Sequence, residues 1–360
     1  MQRGLQTPHG LDRGHFRRAV TSGRGGLEGL PHILLLLFCV NFSLDAQVHK
    51  HRLYVCEAAS KGYVVGTPLP PSGLFVRLAA DSFRHLGFTH PFIQAADYDP
   101  RNPRILYIAA GNGCIRSTDS GETWRITTDW KVTELQDVSV DGINPSHVYI
   151  ALPDGIGFSP DEGRTWERRQ TELTRNYMQT IRTDRKKTGR ILAGGEAGIF
   201  LSEDFGKHWR NTGPGAAMTM NLEQSPHDGR TWFATTQRQG VWISHNGGVQ
   251  WTRQKTFSDQ HTHHNTSFDP TNKRRIAIAG WGVGVLVSED GGKTWQPRNR
   301  GLPSLSVNRV AFDPDQPGRL YASVHEEALY RSEDAGKTWH RAGLEGSTIS
   351  ALKFVPEPLQ

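Results

Sequence analysis

The stretch Ser288–Trp295 reads SEDGGKTW, and five near-copies occur elsewhere in the 360-residue chain: STDSGETW from Ser117, SPDEGRTW from Ser159, SEDFGKHW from Ser202, SHNGGVQW from Ser244 and SEDAGKTW from Ser332. The first serines stand 42, 43, 42, 44 and 44 residues apart. So regular a period marks a repeat architecture, and about 43 residues suits one four-stranded propeller blade. The recurring side chains are Ser117, Asp119, Gly121 and Trp124; Ser159, Asp161, Gly163 and Trp166; Ser202, Asp204, Gly206 and Trp209; Ser244, Asn246, Gly248 and Trp251; Ser288, Asp290, Gly292 and Trp295; and Ser332, Asp334, Gly336 and Trp339.

The unit from Ser306 to Gly343 breaks at its Pro, Gly and Asp residues into four short runs. Strand A is expected near Val307–Phe312, B near Arg319–Ser323, C near Ala328–Arg331, and D from Trp339. The chain ends supply the remainder. HRLYVCEA from His51, GLFVRLA from Gly73 and DSFRHLGF from Asp81 read as strands B, C and D without an A, and STISALKFVP from Ser347 reads as a lone A. Joined, they complete a seventh blade and leave no open sheet edge. The expected fold is all-β: a seven-bladed propeller of four-stranded antiparallel blades over residues 47–360, closed by pairing the C-terminal strand with N-terminal ones. Plentiful Gly (39), Pro (20) and Trp (10) agree with many short strands and turns.

Residues 1–46 read as a leader. Pro31–Ala46 carries an apolar run from Ile33 to Val40, with Arg13, Arg17, Arg18 and Arg24 upstream and Ala46 at a cleavage position. That is the pattern of a secretory signal peptide, and the run is too short to span a bilayer. The mature chain is expected to be secreted or periplasmic, monomeric and without a membrane span. Cys56 and Cys114 can pair in such a compartment, but two cysteines make no disulfide framework. The net charge of +6 is mild, and no basic patch interleaved with aromatics occurs, which argues against nucleic acid as a partner.

In SEDGGKTW the serine ends strand C and the tryptophan opens strand D. The Asp is expected to accept backbone N–H groups along the turn, the Gly to take positive φ, and the Trp to bury its ring between blades. Calcium is the competing reading. One carboxylate per copy, replaced by Asn246 in the fourth, and no Glu at the twelfth position argue against it.

The S-x-D-x-G-x-x-W pattern resembles the Asp-box, or BNR repeat, and the chain from about Phe92 onward is similar to Asp-box propellers. Sialidases, xyloglucan-processing glucanases, sortilin-type receptors and the photosystem II assembly factor share that box. The resemblance implies that the boxes lie on C–D turns, on the face opposite the usual ligand site.

Contacts are therefore expected from B–C and D–A loops. These offer Trp130, Arg175, Tyr177, Arg238, His263, Trp281 and His325 as ligand-binding candidates, since aromatics and arginine dominate binding hot spots. The segment SDQHTHHN, with His261, His263 and His264, is a candidate metal set on one side of an extended strand, with His325 approaching from the next blade but one. No H-E-x-x-H spacing accompanies it. Asp154 in LPDGIG and Glu196 in GGEAG are candidate catalytic carboxyls, because glycosidases need two and these loops occupy matching places in neighbouring blades. Against them, Asp before Gly commonly caps a turn. The F/Y-R-I-P segment that resemblance to sialidases would require is missing; Pro103–Ile108, PRILYI, has other letter order. No phosphate loop, dinucleotide fingerprint or nucleophile elbow occurs, and no cofactor is implied. The expected function is binding of a protein segment or glycan, without catalysis, in the manner of an assembly factor. The alternative is a sialidase- or glucanase-like glycoside hydrolase.

Overall fold

The computed structural model describes residues 50–61, 71–79, 81–169, 176–215 and 217–358. The expected leader and signal, and the candidate Arg175, lie outside them. The described residues hold no helix. They form seven four-stranded antiparallel sheets, arranged as propeller blades. Six are sequential: blade I spans Ile93–Ile126, II Asp137–Arg168, III Met178–Asn211, IV Thr219–Arg253, V Thr262–Pro297 and VI Val307–Arg341. Blade VII joins Ser347–Pro356 to His51–Ala59, Gly73–Ala79 and Ser82–Thr89, as the chain ends imply. In its closing pair Leu53 faces Phe354 and Val55 faces Leu352.

The second and third strands of blades II and III are buried along their whole length, as in Gly155–Ser159, and those of the other blades are buried over most of theirs. Both faces of each blade are covered by neighbours, so these strands read as apolar runs rather than as alternating patterns. The core is accordingly divided into layers between blades. One layer unites Ala277, Ala279 and Val287 of blade V with Val310, Leu320 and Trp339 of blade VI. Another joins Leu53 and Val55 of blade VII to Tyr321 and Leu329 of blade VI.

The fourth strand is shorter than expected. In blades I to VI it is two exposed residues directly after the tryptophan, such as His340–Arg341. An outermost strand this short offers little unpaired edge to another chain.

Each octapeptide closes the same hairpin. The buried serine Oγ accepts the N–H of the glycine four residues on, at 2.8 Å in Ser288–Gly292 and 2.7 Å in Ser332–Gly336, and donates to the aspartate Oδ1. That carboxylate then accepts the N–H four residues further, as Asp290 does from Thr294 at 2.9 Å, and Asn246 Oδ1 does likewise from Gln250 at 2.9 Å. Gly292 takes φ 89°, where a side chain would be strained. The tryptophans wedge between blades: Trp339 Nε1 donates to Arg298 O of blade V at 2.8 Å, and Trp209 Nε1 to Arg169 O at 3.0 Å. These side chains make the turn's own hydrogen bonds, as the octapeptide implies.

Candidate functional site: a channel with two unlike mouths

The first strand of every blade lines a central channel, and its residues decide what the channel holds. On the face that carries the octapeptide turns the channel widens into a funnel of about 590 Å³. Tyr98, Leu352 and Phe354 supply apolar wall, and Pro100, Pro226, Pro270 and Pro314 ring the mouth. Four of the wall's charges are matched in two pairs. Lys353 Nζ meets Asp97 at 2.7 Å, and Arg185 meets Glu223 at 3.1 Å.

The floor is a charged partition. Asp137, Arg182 and Arg309 line both the funnel and a second cavity of about 50 Å³ towards the opposite face. The Asp137 carboxylate is buried and accepts Thr180 Oγ1 and Ile181 N, each at 3.0 Å, together with Arg182 Nη1. Burial lowers the Arg309 guanidinium to about 10, with Asp137 drawing it up and Arg182 pressing it down. It stays a cation at neutral pH.

The other mouth is throttled. In six blades the pairing of the first strand slips by one residue at the same step, at Gln94, Gln179, Met220, His264, Asn308 and Ser350. A bulge re-aims the side chain it carries. Gln94, Gln179, Met220 and Ser350 are turned to the narrow cavity. In blades V and VI the bulge residues His264 and Asn308 instead pack around Trp281. His264 lies 5.1 Å from the Trp281 ring and His325 5.2 Å from it, while Asn308 Oδ1 accepts the Trp281 indole N–H at 2.8 Å. Trp281 remains 43% exposed.

The histidines therefore divide. Successive residues of a strand face opposite ways, so His263 goes into the core against Phe257, at 5.2 Å between rings, and is 1% exposed. His264 points to Trp281. Burial pulls His263 down to about 4, helped by His261, and pulls His264 down to about 3, helped by Arg309. His325 belongs to the next blade, not the next but one. Among the described residues no three His, Cys, Asp or Glu side chains converge as metal ligands.

The two candidate carboxyls are tied to different partners. Asp154 meets Arg168 at 2.7 Å, on the outermost strand of its own blade. Glu196 Oε1 accepts the Tyr177 N–H at 3.0 Å and fixes the approach to blade III. That approach is close: a Cβ on Gly195 would stand 1.9 Å from Tyr177 O. Of the other candidates, Trp130 is 79% exposed under Lys131, and Arg238 occupies a B–C turn at φ 58° with its N–H on His261 O. Glu57 is pushed up to about 7 by burial, but it lines neither cavity. Cys56 and Cys114 are buried free thiols in blades VII and I.

Sequence reading missed the channel residues Asp97, Asp137, Arg182, Arg309 and Lys353. The available signal was polar residues at one register of strands that otherwise look like core, such as Asp137, Asn221, Asn265 and Arg309.

No protein-family model and no curated protein matches the sequence. Solved structures do. The GH74 xyloglucanase from Xanthomonas campestris superposes with a TM-score of 0.60 at 18% identity, over 69% of this chain and 45% of that one. This chain thus spans less than half of that enzyme. YCF48 bound to D1 peptide matches with a TM-score of 0.53 at 19% identity, over 69% of this chain and 82% of that one. YCF48 from Cyanidioschyzon merolae gives 0.56 at 18% identity, over 74% and 87%. At these identities the likeness is one of fold: these neighbours are β-propellers, as this chain is.

Proposed function

We propose that this chain is an exported, non-catalytic propeller that binds a protein segment on the face opposite the octapeptide turns, as an assembly factor would. The observation that carries this reading is the row His264–Trp281–His325. It places a half-exposed indole, its N–H already satisfied by Asn308, where an arriving chain can pack on it. The peptide-bound YCF48 neighbour supports a protein segment over a glycan. Export rests on the apolar run Ile33–Val40 and the arginines before it, and secretion or a periplasmic location follows from it.

The second reading, a glycoside hydrolase, draws on the xyloglucanase neighbour. It needs two carboxyls about 5 to 9.5 Å apart in one cleft. The separate commitments of Asp154 and Glu196 weigh against it.

One screen tests both. The purified chain is applied to peptide arrays and to polysaccharides, with reducing-end release measured in parallel. Peptide binding that Trp281→Ala reduces at least tenfold, and that Asp154→Asn leaves intact, is the expected result. Reducing-end release that Asp154→Asn abolishes would replace this reading with the hydrolase.

A further inference from the structure

The ion pairs of the funnel leave one charge over. Its lining and floor carry Asp97, Asp137 and Glu223 against Arg182, Arg185, Arg309 and Lys353. Three of the cations hold the three carboxylates: Lys353 with Asp97, Arg185 with Glu223, and Arg182 with Asp137. Arg309 has no ion pair among the described residues. Its Nε donates to Ser350 O and its Nη1 to Asn308 O at 2.9 Å, so two backbone carbonyls fix the guanidinium plane. Nη2 makes no hydrogen bond among the described residues. A partly buried cation whose nearest carboxylate, Asp137, is already paired with Arg182 costs free energy that an arriving anion recovers.

We infer that the funnel on the octapeptide face is a binding site for a monoanionic carboxylate with an apolar body, whose head group docks on Arg309 at the channel floor. The charge count selects a monoanion, because the excess is a single positive charge and three carboxylates nearby repel a second negative one. A planar carboxylate matches the guanidinium fork better than a spherical ion does. The apolar body follows from Tyr98, Leu352 and Phe354 in the wall. A cavity of about 590 Å³ accepts a small organic acid or the last few residues of a peptide. This site is separate from the Trp281 row, on the other side of the Asp137–Arg182–Arg309 partition.

The test titrates the full chain with two probes by calorimetry: N-acetylated apolar tetrapeptides with a free C-terminal carboxylate, and 3-phenylpropionate. The same tetrapeptides with a C-terminal amide serve as the comparison. Saturable binding of either acid, at least tenfold weaker or lost for the amides, is expected. Preference for the tetrapeptide identifies a peptide C-terminus as the source, and preference for 3-phenylpropionate a free acid. Arg309→Gln should weaken the acid at least tenfold, Arg309→Lys less, and Trp281→Ala not at all. Binding of amides equal to acids, an Arg309→Gln variant that folds and binds unchanged, or no binding of either acid to the wild-type chain would overturn the inference. The comparison of acid with amide uses the wild-type chain and stands even if Arg309→Gln does not fold.

Discussion

Five blades, I and III to VI, carry two departures from regular strand geometry, the octapeptide hairpin and the inner strand with its bulge, and the two are solved by different means. At the hairpin the side chains make the bonds. Ser Oγ, a side-chain Oδ1 and a left-handed Gly are all required, so Ser and Gly return in every copy and the middle place takes only Asp or, at Asn246, Asn, as in Ser117–Asp119–Gly121 and Ser332–Asp334–Gly336. At the bulge the backbone absorbs the irregularity, and the side chain is released to face the channel or the surface. Gln94, Gln179, Met220, His264, Asn308 and Ser350 then differ from blade to blade. A position whose side chain builds the turn keeps to residues that offer the same acceptor; one whose side chain is free can take up binding.

The sharpest test of that contrast is Trp339→Ala. Trp339 is buried in the layer between blades V and VI, and its loss should cost about 3–5 kcal/mol in denaturant unfolding, as large aromatic truncations do. Carboxylate affinity of the folded fraction should stay within twofold; a tenfold loss would break the division between turn and channel. Next comes Ser332→Ala, which strips partners from the Gly336 N–H and from Asp334 and should cost about 1–3 kcal/mol.

Acid separates the two regions by pH. His263 titrates near 4 in the folded chain against a usual 6.5, so the unfolded chain takes the proton first. Stability is then full above pH 6.5 and falls as pH drops towards 4, on the order of 3 kcal/mol. The double variant His263→Leu, His264→Leu should flatten this limb. Asp119 behaves oppositely in range. Hydrogen bonds from the Thr123 hydroxyl and N–H hold it at about 2 against a usual 3.8, so its contribution is present above 3.8 and lost as pH falls towards 2. Stability curves measured from pH 7 to 2 should therefore show two limbs, and a single limb that ignores the histidine variants would contradict the assignment. The smallest effect belongs to a bulge residue: Gln94→Ala should move stability by less than about 0.5 kcal/mol, read by thermal melting.

The same contrast governs what could be read in advance. The octapeptide is legible because its chemistry is local, and its period counts the blades; HRLYVCEA and STISALKFVP then reveal the closing blade. The outer strand is expected from Trp339 and starts one residue later, at His340, and its two-residue length depends on where the next loop leaves. Site residues were harder. His261, His263 and His264 look like one set in the sequence, yet strand alternation sends His263 inward, and a bulge aims His264 at Trp281. Asp154 and Glu196 occupy matching turns but meet Arg168 and the Tyr177 N–H. Asp137, Arg182 and Arg309 come from three blades, and only closing the ring brings them to one floor.

Ring closure also sets the order of folding. Blades I to VI are each continuous in sequence and can form as they emerge from the ribosome, but the first strand of blade VII is Ser347–Pro356. Until it arrives, His51–Ala59 lacks one neighbour, and the contacts of His51 with Asp315 and of Arg52 with Glu357 span 264 and 305 residues. Such distant contacts come late in folding. A nascent chain of this protein therefore carries nearly all its blades before it owns a closed channel, and that interval exposes an unpaired edge.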